Sequence, residues 1–327
     1  MNNKNISMKL VKIGLLFLVL FIPIFPILNN KDTKNSLKGS FETVRSSVVV
    51  SEPINIDLSS VIPIFIDDLD PSNNWESFIS KNPWCIGTGE PGSSYIIYGI
   101  LIDAQGGSNC ITIKNSNKLY TIDSSVFFNT SQGDFSAGIY LENVSHGNII
   151  YSNLHDHGSF GIKIVNCSNG PTIYRNSVHN NGDGIGLCDS RESLILENNI
   201  FFSDYSGIYL SGANNTDIDD NIISCNLDGL TLIRSNHITI QHNIISFSKE
   251  NGIILQNYSS YNSITYNIIS HALYCISIGS STYRTYLNSN DIELGSIRSF
   301  GEAPTPPPIP DKNKFNQNSM LILIIKK

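Results

Sequence analysis

A repeat of about 23 residues runs through the middle of this 327-residue chain and restricts its fold more than any other feature. Glycine recurs at intervals of 23, 23, 23, 22 and 23 residues, and a cysteine takes the next place. The series consists of Gly138, Gly161, Gly184, Gly207, Gly229, Gly252 and Cys275. A fixed period of this size is typical of a solenoid, in which each unit packs only on its neighbours.

A series of asparagines keeps step with the glycines, each lying 14 or 15 residues after its glycine or, last, after Cys275. From the spacing, the series consists of Asn153, Asn176, Asn199, Asn221, Asn243, Asn267 and Asn290. An inward asparagine at a bend bonds the backbone of neighbouring coils and satisfies groups that would otherwise be buried unpaired. We therefore expect these asparagines to form a column inside the solenoid.

Apolar and polar residues alternate within each unit, which is the periodicity of β-strands. The residue after each glycine or Cys275 is aliphatic: Ile139, Ile162, Ile185, Ile208, Leu230, Ile253 and Ile276. So is the residue three before each asparagine: Ile150, Ile173, Leu196, Ile218, Ile240, Ile264 and Leu287. The residue two after it is mostly apolar: His155, Val178, Phe201, Ile223, Ile245, Ile269 and Ile292. Each unit is predicted to carry at least three short strands, whose apolar side chains form columns in the core.

The leucine-rich repeat is the rival solenoid, because its period includes 23 residues and its motif is similar to Ile238-x-Ile240-x-x-Asn243. The second half of each unit here is another Gly-Ile-x-Leu strand and has no helical spacing. This pattern favours an all-β, parallel β-helix with coils of 22–23 residues.

The Gly-Ile-x-Leu and Ile-x-x-Asn-x-Ile units resemble the repeats of the pectin-lyase-like superfamily, and most of all its NosD-like, or carbohydrate-binding and sugar-hydrolase, group. The resemblance covers about residues 95–295. It implies a right-handed parallel β-helix. It leaves the activity open, because that fold is used by lyases, hydrolases, epimerases, copper-insertion accessories and adhesins.

The ends of the chain differ from the coils. Residues 1–28 combine early lysines with an uncharged apolar run, so a cleaved signal peptide and a membrane-anchoring signal both fit. We expect a linker over 29–60, a cap with the first coils over 61–109, regular coils over 110–297 and a proline-rich tail over 298–327. The chain is therefore expected at the cell surface or outside the cell, touching a membrane only through its N-terminal segment.

Charge limits the possible partners. The formal net charge is −7, and basic residues form no cluster beyond the N-terminus. Nucleic acid is not expected as a partner, because binding phosphates requires concentrated positive charge. A weakly charged surface rich in asparagine, serine and tyrosine suits a glycan or polysaccharide, and it equally suits plain solubility.

The candidate ligand-binding residues lie midway along the Gly-Ile-x-Leu strands, where side chains point outward. This column contains Tyr140, Lys163 and Tyr209. Aromatic rings stack on sugar rings, and a lysine pairs with uronate carboxylates. The alternative is a solvated sheet face in which tyrosine reflects only strand propensity.

The candidate catalytic residues are Asp156, His157 and His179. The spacing predicts Asp156 and His179 at equivalent places in successive coils, about 4.8 Å apart. An aspartate–histidine pair could act as general acid and base on a sugar. Together with His155, the same histidines could instead bind copper, or the cluster has no function. If His155 itself points outward, Leu154 takes its place in the core.

The remaining cluster is acidic and consists of Asp217, Asp219 and Asp220 with Glu197 one coil earlier. It suggests Ca²⁺, but its spacing is not that of a calcium loop, so no metal site is assigned. The catalytic motifs of polygalacturonases, alginate epimerases and pectate lyases are not found. The sequence therefore favours a glycan-binding or structural, adhesive module, with a polysaccharide lyase, hydrolase or epimerase and a copper-handling accessory as alternatives.

Overall fold

The structure, a computed structural model, describes residues 62–300 and two short strands beyond them, Lys314–Phe315 and Ile322–Ile325. The predicted export segment 1–28 and linker 29–60 lie outside the described residues. In the described part of the chain, no helix is long and apolar enough to cross a membrane.

Three parallel sheets form the body of the molecule, and each regular coil contributes one strand to each sheet. Sheet 1 consists of β1 (Ile64–Asp67), β4 (Asn109–Lys114), β7 (Ala137–Glu142), β10 (Phe160–Val165), β13 (Asp183–Cys188), β16 (Ser206–Ser211), β19 (Asp228–Ile233), β22 (Asn251–Gln256), β25 (Tyr274–Ile278), β28 (Ile297–Phe300) and β30 (Ile322–Ile325). Sheet 2 consists of β2 (Tyr95–Tyr98), β5 (Tyr120–Asp123), β8 (Gly147–Ile150), β11 (Thr172–Tyr174), β14 (Leu194–Leu196), β17 (Asp217–Asp219), β20 (Thr239–Gln241), β23 (Ser263–Thr265) and β26 (Tyr286–Asn288). Sheet 3 consists of β3 (Leu101–Asp103), β6 (Val126–Phe128), β9 (Asn153–His155), β12 (Ser177–His179), β15 (Asn199–Phe201), β18 (Ile222–Ser224), β21 (Ile244–Ser246), β24 (Ile268–Ser270), β27 (Asp291–Glu293) and β29 (Lys314–Phe315).

Strands of successive coils pair in parallel and in register, so like residues stack directly on one another. Ile162 of β10 pairs with Ile139 of β7 and Ile185 of β13, and all three are fully buried. No described coil contains a helix. The structure thus confirms the predicted parallel β-helix and excludes the leucine-rich repeat.

One helix, α1 (Trp75–Lys81), covers the N-terminal end of the described core. The Asn74 side chain caps it by accepting a hydrogen bond from the backbone N–H of Ser77. Trp75 is buried and stacks on Tyr95 with ring centroids 4.5 Å apart. Helix α1 therefore shields apolar residues of the first coils that would otherwise face water.

The positions of the glycine column leave little space for a Cβ atom, which would approach both the backbone of the next coil and side chains of sheet 3. A Cβ atom at Gly184 would lie 2.4 Å from the carbonyl oxygen of Gly207 and 2.6 Å from Cγ2 of Ile200 on sheet 3. Val178 and Ile223 make equally close approaches to Gly161 and Gly207. The repeating glycine thus lets branched side chains of sheet 3 fill the core, where each contributes about 1.5–3 kcal/mol on burial.

The asparagine ladder is present, but two of its predicted members are wrong. The ladder passes through Asn198 in place of Asn199 and through Ser152 in place of Asn153. In these two coils the segment between the paired strands of sheets 1 and 2 is one residue shorter than in the coil of β10 and β11, so everything after it lies one residue earlier in the chain. Ladder members are almost fully buried, whereas Asn199 is exposed as the first residue of β15.

Each ladder asparagine joins neighbouring coils through both ends of its amide. The Asn198 Oδ1 atom accepts from the backbone N–H and the Nδ2 of Asn176, at 2.9 and 3.0 Å. Its own Nδ2 donates to the carbonyl oxygen of Ile173 at 2.9 Å. The backbone N–H and C=O groups that are buried at the bend between sheets 2 and 3 obtain hydrogen-bond partners in this way.

The same one-residue offset corrects four other core assignments. Ile149, Leu154, Ile195 and Ile200 face the core and are fully buried. The residues predicted for those places are turned to the outside of the sheets: Ile150, His155, Leu196 and Phe201. A shift of one residue reverses the face of a strand, because successive side chains point to opposite sides.

The six cysteines all lie within the described residues, and none is in a disulfide. Four are buried, namely Cys85, Cys110, Cys167 and Cys275. Cys110 and Cys275 occupy the glycine column in the coils at its two ends. The packing of the coils therefore does not use disulfide bonds.

Substitution of two adjacent asparagines tests the observed register. We expect Asn198→Ala to lower the free energy of unfolding by about 3–6 kcal/mol, because it leaves buried backbone and amide groups of Asn176 and Ile173 without partners. Asn199→Ala, at an exposed position, should change it by less than about 0.5 kcal/mol. Urea denaturation of both variants measures the difference. Equal losses, or a larger loss for Asn199→Ala, would contradict the register.

Candidate functional site

The outer face of sheet 1 carries one column of side chains at the predicted place. Lys163 pairs with Tyr140 on one side and Gly186 on the other, and Gly186 pairs with Tyr209. The column continues through Thr231, Ile254, Ser277 and Arg298. The sequence thus predicted the neighbours correctly, but it did not predict how the face is covered.

Tyr140 is not on an open surface, since only 2% of it is exposed. Phe135, from the loop formed by residues 131–136, contacts its ring edge to face at 6.3 Å. The Tyr140 hydroxyl donates to Glu142, which also forms an ion pair with Lys114. Tyr140 is therefore a packing residue under the loop, and its ring is not available to stack on a ligand.

Phe160 and Tyr209 form the aromatic part of the face. The Phe160 side chain lies across the strand of Gly186, where a Cβ atom would come within 2.6 Å of its Cδ1. Its ring centroid is 6.4 Å from that of Tyr209, and Tyr209 is half-buried. We call Phe160, Lys163, Asp183, Gly186 and Tyr209 the sheet-1 platform.

Lys163 lies at the edge of the platform nearest the loop. Its Nζ is 4.5 Å from the Phe160 ring centroid and 5.7 Å from that of Phe135. It also donates to the carbonyl oxygen of Asp134. A lysine ammonium has three N–H donors, so this one bond leaves donors for a ligand.

Asp183 is the titratable group of the platform that the sequence reasoning missed. It begins β13, pairs with Phe160 of the preceding coil, and its Oδ1 accepts from the backbone N–H of Ser206 at 2.8 Å. Burial raises the pKa of its carboxyl to about 6, and the Lys163 charge acts in the opposite direction. The signal that could have identified Asp183 and Phe160 is their shared place directly before the repeating glycine.

The predicted catalytic residues do not come together. His179 pairs with His155 and not with Asp156, so the predicted Asp156–His179 register is wrong. Asp156 lies beside Asn180, whose Nδ2 donates to it at 3.3 Å, and its Oδ2 is 2.7 Å from His155 Nδ1. His157 faces the interior, where its Nδ1 is 3.1 Å from Thr130 Oγ1.

The two outward histidines belong to a stack of aromatic rings on sheet 3. Phe128, His155, His179 and Phe201 follow one another with centroid distances of 5.3, 5.1 and 4.7 Å. Burial lowers the pKa of His179 to about 4, and it lowers that of the enclosed His157 to about 3. The imidazoles of His157 and His179 are therefore neutral near pH 7.

The side chains that could bind a metal are not the histidines that the sequence suggested. In the described part of the chain, the metal-ligating side chains that converge in a group of three are Asp219, Asp220 and His242. Glu197, from the predicted acidic cluster, is paired with Arg175 at 2.7 Å. The copper ligands expected at His155, His157 and His179 are not assembled.

Comparison with known proteins identifies the fold. The family described as "Right handed beta helix region" matches residues 92–205 and 165–300. A search of the curated proteins found no significant match.

Several solved structures share the architecture at low sequence identity. The A-module of a mannuronan C-5 epimerase from Azotobacter vinelandii is 12% identical, with 73% of this chain and 66% of that chain covered at a TM-score of 0.44. A DFA-IIIase from Arthrobacter chlorophenolicus A6 is 11% identical, with 67% and 64% covered at a TM-score of 0.48. The Dettilon tailspike protein is 14% identical, with 65% and 55% covered at a TM-score of 0.50. The chain thus spans between about half and two thirds of the length of these proteins, and the likeness concerns the fold.

The pH dependence of stability tests the buried state of Asp183. Between about pH 4 and 6 the folded chain holds a proton that the unfolded chain has released, so this group lowers the free energy of unfolding as pH rises. Asp183→Asn keeps an oxygen to accept from Ser206 and removes the charge. We expect the variant to have the same free energy of unfolding as the wild type near pH 4. At pH 7 its free energy of unfolding should be higher by about 2 kcal/mol.

Urea denaturation at several pH values measures this difference, and Asp204→Asn, at an exposed site, is the control. A constant difference between Asp183→Asn and wild type across pH 4–7 would contradict the assignment.

Proposed function

Because this chain belongs to the right-handed β-helix family, we propose that it is an exported cell-surface module that binds glycans on the sheet-1 platform. A structural or adhesive role at the surface follows from such binding. The proposal rests on one observation: the half-buried Tyr209 ring, which packs beside the buried Phe160 ring, shares one sheet face with a lysine and a carboxyl group.

The Tyr209 ring supplies the contact area, and the buried Phe160 ring supports it. Sugar rings present C–H groups on their faces, and these pack favourably on the faces of aromatic side chains. Phe160 and Tyr209 are fixed by strands two coils apart, and the Phe160 ring occupies the space above Gly186 between them. A preformed surface binds with less loss of conformational entropy than a mobile loop does.

The polar groups supply selectivity. Lys163 at one edge is suited to a uronate carboxylate, and Asp183 can accept hydrogen bonds from sugar hydroxyl groups. This arrangement favours an acidic polysaccharide over a neutral one.

A glycan array followed by titration calorimetry tests the proposal on the full chain. We expect Tyr209→Ala to weaken binding of the best ligand at least tenfold, because a stacked ring is worth about 1.5 kcal/mol or more. Lys163→Ala should weaken the binding of uronate-containing ligands at least tenfold. It should change the binding of neutral ligands little.

The matched control is Tyr258→Ala, which removes a tyrosine that is 64% exposed outside the strands of sheet 1. It should leave binding unchanged. Absence of binding to all glycans, or equal losses in Tyr209→Ala and Tyr258→Ala, would refute the platform as the binding site.

A carbohydrate-active enzyme is the second candidate, and the carboxyl of Asp183 favours it. A pKa of about 6 suits a general acid or base near neutral pH, and the group is part of the platform. If the platform is an active site, Asp183→Asn should abolish polysaccharide cleavage or epimerisation while ligand affinity changes less than tenfold. Turnover that survives this substitution would exclude Asp183 as the catalytic group.

Export is proposed from residues 1–28, whose composition is that of a signal segment. Deletion of these residues should retain the protein inside the cell, whereas the full chain should be accessible to protease added to intact cells. Protease accessibility that does not depend on residues 1–28 would contradict this assignment.

A further inference from the structure

A group of metal-ligating side chains lies on the bend between sheets 2 and 3, away from the sheet-1 platform. Asp219 is the last residue of β17, Asp220 follows it, and His242 occupies the corresponding bend one coil later. Asp220 and His242 both have positive φ, at 57° and 52°. This shared backbone conformation places their side chains next to each other on the outside of the bend.

The ligand atoms of the three side chains lie close together. His242 Nδ1 lies 2.9 Å from Asp219 Oδ1, and one ligand atom from each of the three residues lies within 4.8 Å of the others. Ligands bound to zinc at about 2.0–2.1 Å in a tetrahedron are separated by about 3.3 Å. An ion bound here would replace the present contact between His242 and Asp219, with the three ligand atoms moving to that separation.

Neighbouring side chains orient His242 and Asp219. The ring of Tyr266 stacks on the His242 imidazole, with centroids 5.5 Å apart and an interplanar angle of 11°. Gln241 Nε2 donates to Asp219 Oδ2 at 3.3 Å, which leaves Oδ1 directed toward His242. Partners of this kind fix the orientation of metal ligands and raise metal affinity.

The chemistry of the donors indicates the class of ion. Calcium is bound by six to eight oxygen atoms, and an imidazole nitrogen is a poor ligand for it. One imidazole with two carboxylates suits a divalent transition ion, and three protein ligands leave a position for water or a further ligand. The Asp219 side chain is 14% exposed and that of His242 is 38% exposed, so an ion can enter from solvent.

We propose that Asp219, Asp220 and His242 bind one divalent transition-metal ion, with Zn²⁺ as the probe. The ion joins two successive coils on their outer side. This site replaces the acidic calcium cluster suggested by the sequence, because Glu197 is paired with Arg175 and Asp217 is not part of the converging group.

Titration calorimetry with Zn²⁺ on the full chain, after treatment with a chelator, tests the site. We expect one strong site per chain and a rise in the thermal midpoint with added Zn²⁺, because an ion that binds only the folded chain stabilises it. His242→Ala should weaken this binding at least tenfold. Asp220→Asn should do the same while preserving the backbone, because asparagine tolerates positive φ.

The chain contains a matched control at another bend. His237 also has positive φ, at 55°, and it stacks on Tyr261 at 5.3 Å with an interplanar angle of 12°. His237→Ala therefore removes the same kind of exposed, stacked imidazole but should leave the strong site intact. No strong site, binding unchanged in His242→Ala and Asp220→Asn, or an equal loss in His237→Ala would overturn the proposal.

Discussion

Hydrogen bonds between the asparagine side chains of successive coils are the interaction on which the rest of this structure depends. The Asn221 Oδ1 atom accepts from the backbone N–H and side-chain Nδ2 of Asn198, and its Nδ2 donates to the Ile195 carbonyl oxygen. An amide offers an acceptor and donors at the same end of one short side chain. The same asparagine can therefore bond the buried backbone groups of a bend and the asparagine of the next coil. This pattern recurs from coil to coil and holds each coil on the next.

The fixed register inside the solenoid determines what lies outside it. Parallel pairing places outward side chains of neighbouring coils about 4.8 Å apart, so chemical groups occur in columns. On sheet 3 this spacing produces the stack of His155 and His179 with two phenylalanines. On sheet 1 it produces the platform, where the missing side chain of Gly186 admits the Phe160 ring. At the bends, positive φ turns residues such as His242 outward, and the proposed metal ligands meet there.

The sequence predicts the architecture well because glycine and asparagine repeat for steric and hydrogen-bonding reasons that are the same in every coil. The predicted register is wrong where a coil changes length. Residues 198 and 199 are both asparagine, and counting from the glycine cannot show which of the two lies in the bend. Because strand side chains alternate, this single choice exchanged Ile200 for Phe201 in the predicted core.

The candidate site was only partly predictable for a related reason. The strand pattern correctly made Lys163 and Tyr209 members of one outward column. It did not show that Phe135 covers Tyr140, because the position of an inserted loop is set by tertiary packing that has no period. Asp183 was overlooked because a residue before a glycine suggests a bend, whereas it begins strand β13 and is part of the platform.

Side-chain amide hydrogen exchange, followed by NMR on chain labelled with ¹⁵N-asparagine, tests the central claim most directly. The account predicts that the Nδ2 protons of Asn198, Asn221 and Asn243 exchange only when the solenoid opens, because each is buried and bonded between coils. The Nδ2 protons of Asn199, which is exposed, should exchange at rates close to those of an unfolded peptide. Fast exchange at all four asparagines, or protection of Asn199 in place of Asn198, would contradict it.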